Sequence, residues 1–514
     1  MSSHDLSSGG RLGAHRRSVS LTPTAFRRWL GLGVLLIGSF VTSLDSFIVF
    51  VAVPSIRTSL GATFGETELI VAGYTLTSAV GLIVSGRLGD RFGRRRMFMI
   101  GFGAFTIASV LCGIAQSPVA LIISRLIQGC AASVLIPQVF ALIRVTFTDA
   151  KERATAFGWM GVTIGAGAIA GQIIGGFIIA ADIWHLAWRP IFLINLPVGI
   201  CALIGAPLLV AESVSDARER LDLVGAVLSA LGLGLLLYPL IEGREAGWPN
   251  WSLSMMGAGV VVLGVFGLHQ RWKTSDGAFP LLNTDLFRDQ AFTVGLFLIL
   301  LFFGTIGPLM LSFSYLAQIG FSRSPMTAAL DFSPLALSFT IASLLAGRYT
   351  HHGARKILAA GAVVVGVGAL AAYLVCSVLA SPTPEGLILP LIVLGVGQGM
   401  FMTPVLNVVL SAIPENHSGA ASGVLTTVQR AGNALGVAAL EVPFFTTLDD
   451  AKIAGSSQSA AYIAAFAAVA VCILVTMILV LVLLALLPSG RSTSGQKLRI
   501  GGRGSISHVQ APQR

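Results

Sequence analysis

The chain has 514 residues, of which 54% are hydrophobic and only 11% are charged, whereas about a quarter of the residues of an ordinary soluble protein carry a charge. Its mean hydropathy is +0.84 and its net charge is +10. A membrane-spanning helix needs about 20 apolar residues, so the many spans leave no room for a sizeable soluble domain. The composition indicates a membrane protein and excludes soluble enzymes, fibrous proteins and secreted disulfide scaffolds.

Apolar segments of helical length follow one another after a polar, basic stretch at the N-terminus. The first is too long for a signal-peptide core and lacks a small-residue cleavage pattern, so we expect it to remain as an anchor. Frequent glycine favours packed helices over a barrel, whose strands alternate polar and apolar residues. The sequence predicts an all-α membrane protein with 14 transmembrane helices. Their ranges are 30–53, 67–86, 97–116, 119–143, 154–181, 190–211, 221–241, 252–270, 291–313, 326–347, 357–380, 386–412, 419–444 and 460–487.

Positive residues predict the orientation of these spans. An even number of spans places both termini on one side, and most of the 33 Lys and Arg residues fall in the tails and loops of that side. Such an excess marks the cytoplasmic side of a membrane protein. We therefore expect a multi-pass protein of the cytoplasmic (inner) membrane with both termini in the cytoplasm. The same distribution explains the net positive charge, so no nucleic-acid partner is expected.

Two loops form a weak internal repeat. Residues 86–96 read GRLGDRFGRRR and residues 347–356 read GRYTHHGARK, and each loop follows the second span of one half of the chain. The repeat predicts two related six-helix bundles with a two-helix hairpin inserted between them. The expected organisation is a cytoplasmic basic tail (1–29), an N-terminal six-helix bundle (30–211), a linker with the inserted transmembrane hairpin (212–290), a C-terminal six-helix bundle (291–487) and a cytoplasmic tail (488–514).

Signatures of catalysis and of metal binding are missing from the sequence. No Gly-Lys dipeptide occurs, so there is no phosphate-binding loop of the GxxxxGK[ST] type, and the eight His form no HExxH pair. The five Cys lie singly in apolar stretches and are read as small buried hydrophobes. We expect no enzymatic activity, no metal and no cofactor, so that any work on a solute would draw on an ion gradient.

Two ionisable residues inside the predicted spans are the main functional candidates, because charge within a bilayer is costly and tends to pair or face a cavity. Asp45 lies roughly 22 Å from the cytoplasmic end of the first span, and Arg125 roughly 9 Å from the outer end of the fourth. Both are expected at similar depth in the outer half. A titratable acid beside a permanently charged guanidinium can act as a proton switch. The alternative is a structural ion pair that fixes helix packing.

Further polar residues lie within the later spans. Asp331, near the outer end of the tenth span, either faces a substrate cavity or caps the helix end, and Arg430 of the thirteenth span is too deep to reach the surface easily. Glu441 comes so late in that span that we expect an exposed outer end. The amide side chains can line a cavity, although hydrogen bonding between helices is their commoner use. They are Gln128, Gln172, Gln398 and Asn407.

The loop between the second and third spans is the strongest local pattern. Gly86 and Gly93 permit a tight turn between two helices, and Asp90 can accept a hydrogen bond from a neighbouring helix end. Arg91 and Arg94 can bridge to acids on the facing bundle, in contacts that form in one state of a gate and break in the other. A purely positive turn explains the arginines but not the acid among spaced glycines. The loop is therefore predicted to be a cytoplasmic gate.

Taken together, these patterns resemble the major facilitator superfamily, and within it the fourteen-span drug:proton antiporters. The loop at 86–95 is similar to the superfamily's G-x-x-x-D-R-x-G-R-R hallmark. LDSFIVFVAVPSI (44–56) is similar to the first-span signature, whose acid matches Asp45. LIISRLIQGCAASVLIP (121–137) is similar to the fourth-span motif, whose arginine, matched by Arg125, is implicated in proton transfer. Segments 188–199 and 418–438 also resemble this subfamily.

The fifth-span antiporter motif of that subfamily reads G-P-x-x-G-G, and this chain departs from it at one position. Gly171, Gly175 and Gly176 match its glycines, whereas Gln172 replaces its proline. The small residues that allow close helix packing are retained, but the proline kink is not.

The resemblance implies a major facilitator fold and proton-coupled efflux of amphipathic drugs, dyes or antibiotics by alternating access. The expected partners are a small amphipathic substrate, protons and membrane lipid, and a monomer is expected. Two alternatives keep the fold: a transporter of an endogenous lipid, siderophore, self-made antibiotic or nutrient, and a nontransporting membrane sensor. The charges of Asp45, Asp331, Arg125 and Arg430 cancel, so they do not select a cationic cargo.

Overall fold

The computed structural model describes residues 25–214, 222–276, 280–281, 284, 287, 289–349, 353–379, 382–411 and 418–486. Residues 1–24 and 487–514, and with them most of both expected tails, lie outside the described ranges. Regular structure within these ranges is helical. The helices are α1 (Ala25–Leu60), α2 (Phe64–Phe92), α3 (Arg94–Gly113), α4 (Pro118–Thr146), α5 (Ala150–Ala181), α6 (Pro190–Leu193), α7 (Asn195–Leu209), α8 (Leu223–Glu245), α9 (Asn250–Ser275), α10 (Gln290–Tyr315), α11 (Pro325–Tyr349), α12 (Ala354–Val378), α13 (Ile388–Ser411), α14 (Ser418–Ile453) and α15 (Gln458–Leu486).

The prediction of an all-α multi-pass membrane protein is confirmed. Thirteen helical segments of the described residues are long and apolar enough to cross a membrane, with α6 and α7 together forming one of them. The predicted span 67–86 is not among the thirteen, although it lies within α2, a helix of 29 residues. Helix α2 packs against α4, α8 and α14, so its buried Ser78 and Ser85 face protein, where polar groups are better tolerated than in lipid.

Side-chain caps set the start of the helices that carry the candidate site. The Thr63 hydroxyl accepts a hydrogen bond from the Glu66 amide, and the Glu66 carboxylate accepts the Thr63 amide in return, which is a capping box. Ser117 caps α4 directly before Pro118, and Asp149 caps α5. Each cap satisfies amides that a helix start leaves unpaired.

The helices pack as two groups with a hairpin beside them. The first group comprises α1–α7 and the second α10–α15, while α8 and α9 pair with each other and α8 lies against α2 and α14. Within the second group, Gly304 of α10 faces Gly436 of α14 so closely that a Cβ at Gly436 would overlap the Gly304 backbone. Such glycine contacts let apolar helices approach within the bilayer. Because α8 contacts α2 of the first group and α14 of the second, the hairpin borders the surface on which the two groups meet.

The two ends of the molecule differ in how the groups are joined. We call the end where α1 begins and α15 ends the tail end, and the opposite end the far end. Residues 44–56 of α1 belong to a hydrophobic cluster shared with α10 and α14. Residues 32–41 belong to a separate cluster confined to the first group. The hydrophobic contact of α1 with the second group is therefore concentrated at the far end.

The hairpin is held at the tail end by one buried acid. Asp222 accepts hydrogen bonds from Lys273 Nζ at 2.9 Å and from Gln270 Nε2 at 2.8 Å, and His269 Nε2 lies 3.1 Å from the same carboxylate. Burial by itself raises the pKa of Asp222. The hydrogen bonds together lower this pKa by a larger amount, so that it lies well below the ordinary range. The acid therefore stays charged and fastens the start of α8 to the end of α9.

Candidate functional site

Asp45 of α1 and Arg125 of α4 form an ion pair inside the first group. Arg125 Nη1 donates to Asp45 Oδ2 at 2.6 Å. The side chain of Asp45 is 0% exposed and that of Arg125 is 1% exposed. The sequence placed these two residues at similar depth, and the structure brings them into direct contact. Charges buried this deeply are tolerated when they are paired and their remaining polar atoms are hydrogen-bonded.

The second carboxylate oxygen of Asp45 is bound by two amides. Gln128 Nε2 donates to Asp45 Oδ1 at 2.8 Å, and Asn195 Nδ2 donates to the same oxygen at 3.1 Å. The Gln128 carbonyl in turn accepts from Arg125 Nη1 at 2.8 Å, while Asn195 also contacts Ser109 Oγ at 2.9 Å. We call Asp45, Arg125, Gln128 and Asn195 the Asp45 cluster. Oδ2 is thus bound by a donor from α4, and Oδ1 by donors from α4 and α7.

Helix α2 completes the surroundings of the guanidinium. Arg125 Nε donates to the carbonyl of Ile70 at 3.2 Å, and the guanidinium carbon lies 4.2 Å from the centre of the Tyr74 ring, a distance at which a cation is attracted to the ring face. Helix α2 also packs against α14, the helix that carries the half-buried Arg430 of the second group.

Sequence analysis did not single out Asn195, Tyr74 or Ser109. Asn195 had a signal, since it is the one polar residue in the apolar run from Pro190 to Gly199. Its position at the start of α7, after the short α6, directs its amide toward Asp45. Ser109 had none, because a serine hydroxyl in an apolar helix commonly bonds to a nearby backbone carbonyl, and Tyr74 had none, because an aromatic ring in an apolar helix is commonly part of the core.

The glycines of the antiporter motif pack α5 against two different helices. A Cβ added at Gly171 would lie 2.8 Å from the carbonyl oxygen of Leu44, and one added at Gly175 would lie 2.6 Å from Ile48 Cγ1, both on α1. A Cβ at Gly176 would lie 2.8 Å from the carbonyl oxygen of Pro325 on α11. Helix α5 thus contacts the helix that carries Asp45 on one face and the second group on another.

Two of the amides predicted to line a substrate cavity have structural partners, whereas the Nε2 of Gln398, a buried residue of α13, has no hydrogen-bond partner among the described residues. Gln128 belongs to the Asp45 cluster, and Gln172 donates to the carbonyl of Phe47 at 3.1 Å. Gln172 also borders a small gap between the groups, across which Gln318 donates to the carbonyl of Val51 at 2.9 Å. Helix α5 runs through Gln172 without interruption. The side chain of Asn407 lies outside the described part of the structure.

Asp331, the acid predicted either to face a substrate cavity or to cap the helix end, lies beside Arg323. Its Oδ2 lies 3.5 Å from Arg323 Nε, and Arg323 also pairs with Glu385. The reason is position: α11 begins at Pro325, so Asp331 is less than two turns from the far end. The structure supports the alternative of a helix-end residue.

The loop predicted to be a gate is a sharp break between α2 and α3. Gly93 has φ of +100°, a conformation that other residues rarely adopt. Asp90 accepts from Arg94 Nε at 3.1 Å and from Arg94 Nη2 at 2.7 Å. Arg94 Nη1 also donates to Ser213 Oγ at 3.1 Å. The surroundings of Gly86 lie outside the described part.

The expected bridges from this loop to acids of the facing bundle are not among the described contacts. Arg91 is exposed and lies against the Phe92 ring, 5.2 Å from its centre. Glu212, which follows α7, accepts from the backbone amides of Arg95 and Arg96 at 3.0 and 3.2 Å. An acid there is favoured by the positive end of the α3 dipole. The described partners come from the loop itself and from residues 210–213, since Arg95 Nη1 also donates to the carbonyl of Val210 at 3.1 Å.

The prediction that Glu441 lies at an exposed helix end is wrong. Its side chain is 0% exposed, because α14 continues to Ile453, well past the predicted end at residue 444. Glu441 therefore lies within the packed part of the helix, on the side of the far end.

The chain is similar in sequence to known transport proteins. The family model of the Major Facilitator Superfamily matches residues 35–437. The chain is 39% identical over 428 residues, covering 83% of this chain and 74% of the other, to the probable actinorhodin transporter of Streptomyces coelicolor. It is 31% identical to the multidrug resistance protein Stp of Mycobacterium tuberculosis, covering 79% and 73% of the two chains.

Solved structures show the same fold at low sequence identity. A bacterial homologue of the human lysosomal transporter Spinster, in an inward-facing conformation, superposes with a TM-score of 0.64 at 15% identity, covering 90% of this chain and 97% of that one. The xylose transporter XylE from E. coli superposes with a TM-score of 0.56 at 14% identity, covering 88% and 98%.

Proposed function

The chain belongs to the Major Facilitator Superfamily, and from this membership we propose that it is a proton-coupled exporter of amphipathic drugs or antibiotics. It lies in the cytoplasmic membrane with its tail end in the cytoplasm, as the distribution of Lys and Arg indicates. Transport proceeds by alternating access between the two helix groups and draws on the proton gradient without a further cofactor. The observation that carries the proposal is the buried pair of Asp45 and Arg125.

Asp45 is the group that binds and releases the transported proton. A proton on its carboxyl removes the negative charge that Arg125, Gln128 and Asn195 bind, while Arg125 keeps its own charge at all relevant pH values. The guanidinium then loses its counter-ion inside an apolar environment, which is strongly unfavourable. The cluster therefore has one arrangement for each protonation state of Asp45, which is what a switch requires.

The glycine contacts offer a route from this switch to the opening of the molecule. Leu44, whose backbone packs against Gly171, is the immediate neighbour of Asp45, and four residues further along α5 Gly175 packs against Ile48. The next residue, Gly176, packs against α11 of the second group. A shift of α1 at Asp45 would thus be passed through α5 to the surface between the groups.

The names of the relatives support export and suggest the cargo. They include a puromycin resistance protein of Streptomyces alboniger, 33% identical over 421 residues, and a tetracenomycin C resistance and export protein of Streptomyces glaucescens, 30% identical over 429 residues. Several relatives are thus named for single antibiotics. A dedicated exporter of one endogenous antibiotic is therefore the second candidate, beside the broader drug exporter proposed above. Efflux of a chemically varied panel from cells separates the two.

The test of proton coupling is the Asp45→Asn variant in inverted membrane vesicles. We expect complete loss of dye or antibiotic accumulation driven by a pH gradient, because asparagine cannot exchange a proton at this position. The matched control is Asp449→Asn, which changes an acid of α14 that is 51% exposed and pairs with Lys452. It should keep wild-type accumulation. Normal gradient-driven accumulation by the folded Asp45→Asn protein would remove Asp45 from the coupling mechanism.

A further inference from the structure

The small gap beside Gln172 lies where α1 and α5 of the first group meet α10 and α11 of the second, and we call it the between-group gap. Its volume is about 10 Å³, which is about enough for one water molecule. None of the described residues that line it is ionisable. Its polar lining consists of Gln172, Ser314 and Gln318, and its large apolar lining residues include Met310, Phe313 and Phe332. The between-group gap is therefore polar but uncharged.

Two glutamines of the between-group gap bind backbone carbonyls of α1. Gln172 Nε2 donates to the carbonyl of Phe47 at 3.1 Å, and Gln318 Nε2 donates to the carbonyl of Val51 at 2.9 Å. The two carbonyls lie about one helical turn apart. Gln172 belongs to the first group, whereas Gln318 lies in the turn that follows α10 of the second. Of these two bonds, only that of Gln318 must break when the groups move apart.

The hydrogen bonds of these glutamines leave polar atoms of the between-group gap unused. Both side chains donate through the amide nitrogen, and no described residue donates to either amide oxygen. Ser314 Oγ accepts from Gln318 Nε2 at 2.9 Å, but no described residue accepts the Ser314 hydroxyl proton. Gln172 is 7% exposed and Ser314 is 6% exposed, and polar groups buried this deeply are usually paired. The gap thus offers two acceptors and one donor to a ligand.

We propose that the between-group gap is the closed form of a substrate site, which binds an uncharged, apolar molecule through its hydroxyl groups. A hydroxyl can donate to a glutamine oxygen and accept from Ser314 at the same time, whereas an ether oxygen can only accept. Met310, Phe313 and Phe332 supply an apolar surface for the body of the molecule. A charged ligand would lose its hydration without meeting a counter-ion, so an uncharged ligand is favoured.

The site becomes available only when the two groups separate. Separation breaks the bond from Gln318 to Val51 and frees the Gln318 amide for the substrate, while Gln172 stays beside α1 on the first group. A proline at position 172, as in the antiporter motif, would offer no side-chain hydrogen bond, so Gln172 adds a polar contact that the motif lacks. The inference rests on the proposed function, because it names the chemistry of the exported molecule.

The experiment compares two probes of similar shape on the purified full-length protein. Dihydroxynaphthalene is an uncharged aromatic diol, and its dimethyl ether keeps the rings and both oxygens but cannot donate a hydrogen bond. Equilibrium dialysis near neutral pH gives the affinity for each probe. We expect the diol to bind about 5-fold to about 30-fold more tightly than the ether, which is the effect of one to two net hydrogen bonds.

Variants of the two glutamines test where this preference arises. Gln172→Leu and Gln318→Leu should each lower the preference for the diol about fivefold, because each removes one acceptor oxygen. Either variant decides the test if the other fails to fold. The matched control is Gln290→Leu of α10, which removes an exposed glutamine whose amide also donates to a helix carbonyl, that of Leu486 at 3.2 Å. It should keep the preference of the parent.

Spin labels at the far end measure whether binding separates the groups. They are attached to cysteines introduced at the exposed positions Ser59 of α1 and Ser456 after α14, in a protein whose other exposed cysteines are replaced by serine. The distance between the labels gives the fraction of far-end-closed molecules. A saturating concentration of the diol should lower this fraction, because the site forms only when the groups move apart. The dimethyl ether at the same concentration should lower it less.

Three results would overturn the inference. One is a parent protein that binds the diol no more tightly than the ether. Another is a folded Gln172→Leu or Gln318→Leu protein that keeps the parent's preference, even with weaker binding of both probes, which would make that glutamine structural. The third is a closed fraction that the diol leaves unchanged. Failure of the proposed function has a different signature: Asp45→Asn vesicles would still accumulate substrate, whatever the preference between the probes.

Discussion

The Asp45 cluster and the between-group gap both place polar side chains against α1, but they occupy different boundaries. The carboxylate of Asp45 is bound by three side chains that all belong to the first group. Gln318 reaches the carbonyl of Val51 from the second group. Moving the groups apart as rigid bodies leaves the first set of contacts intact and breaks the second. A change in the Asp45 cluster should therefore act on local helix packing, and a change at the gap on the closure of the whole molecule.

The largest effect is expected from removing the cation of the Asp45 cluster. Arg125→Met leaves a charged Asp45 in an apolar site, which costs about 3–5 kcal/mol for a broken buried pair, and should lower the melting temperature of the purified protein. Adding Asp45→Asn removes the orphaned charge and should restore part of the stability. Equal melting temperatures of the single and double variants would contradict this account of the cluster.

Two glycines of α5 allow packing within the first group and packing between the groups to be tested separately. Gly171→Ala places a methyl group against the Leu44 carbonyl inside the first group, whereas Gly176→Ala places one against the Pro325 carbonyl of the second group. Such overlap typically costs about 1–3 kcal/mol. We expect Gly171→Ala to lower the melting temperature and Gly176→Ala to reduce the fraction of far-end-closed molecules, as measured between the spin labels.

The control for both is Gly165→Ala, in the same helix, where an added Cβ meets no atom within 4 Å. It should leave closure unchanged, and helix propensity favours alanine by about 1 kcal/mol. If Gly176→Ala and Gly165→Ala gave the same closed fraction, the contact between α5 and α11 would not contribute to closure.

The smallest effect is expected at the hydrogen bond of 2.9 Å between Thr67 of α2 and Tyr315 of α10, which joins the groups. Tyr315→Phe keeps the packing of the ring against Phe64 but removes this bond. A loss of about 1 kcal/mol should reduce the ratio of closed to open molecules roughly fivefold. The preference for the diol over its dimethyl ether should stay that of the parent, because Tyr315 is not among the described residues that line the between-group gap. A lost preference would instead place Tyr315 in the substrate site.

The sequence predicted the fold class and the central pair because both follow from burial in lipid. An apolar run long enough to span a bilayer is helical whatever its neighbours, and an acid or arginine within such a run needs a partner. Asp45 and Arg125 could therefore be identified before any contact was known. The same rule does not identify the partner amides, because the hydrogen bond from Asn195 to Asp45 joins α7 to α1 and depends on how these two helices pack.

Residues near helix ends show where the reasoning failed. Asp331 and Glu441 had similar signals, an acid near the outer end of a predicted span, yet one forms an ion pair with Arg323 near the far end and the other is fully buried. The difference comes from helix length, since α14 extends nine residues past its predicted end. Hydropathy marks where a helix enters lipid, not where packing against other helices continues.

The sequence by itself determined that the chain crosses the membrane many times and that Asp45 and Arg125 are buried together, since solvation in lipid depends on local composition. Tertiary structure decided which amides complete that pair, which helix each motif glycine contacts, and that Glu68 and Glu441 are both buried on helices that pack against each other. Those outcomes depend on contacts between residues far apart in the chain. Their cause is the packing of helices against one another, which the pattern along any single helix does not specify.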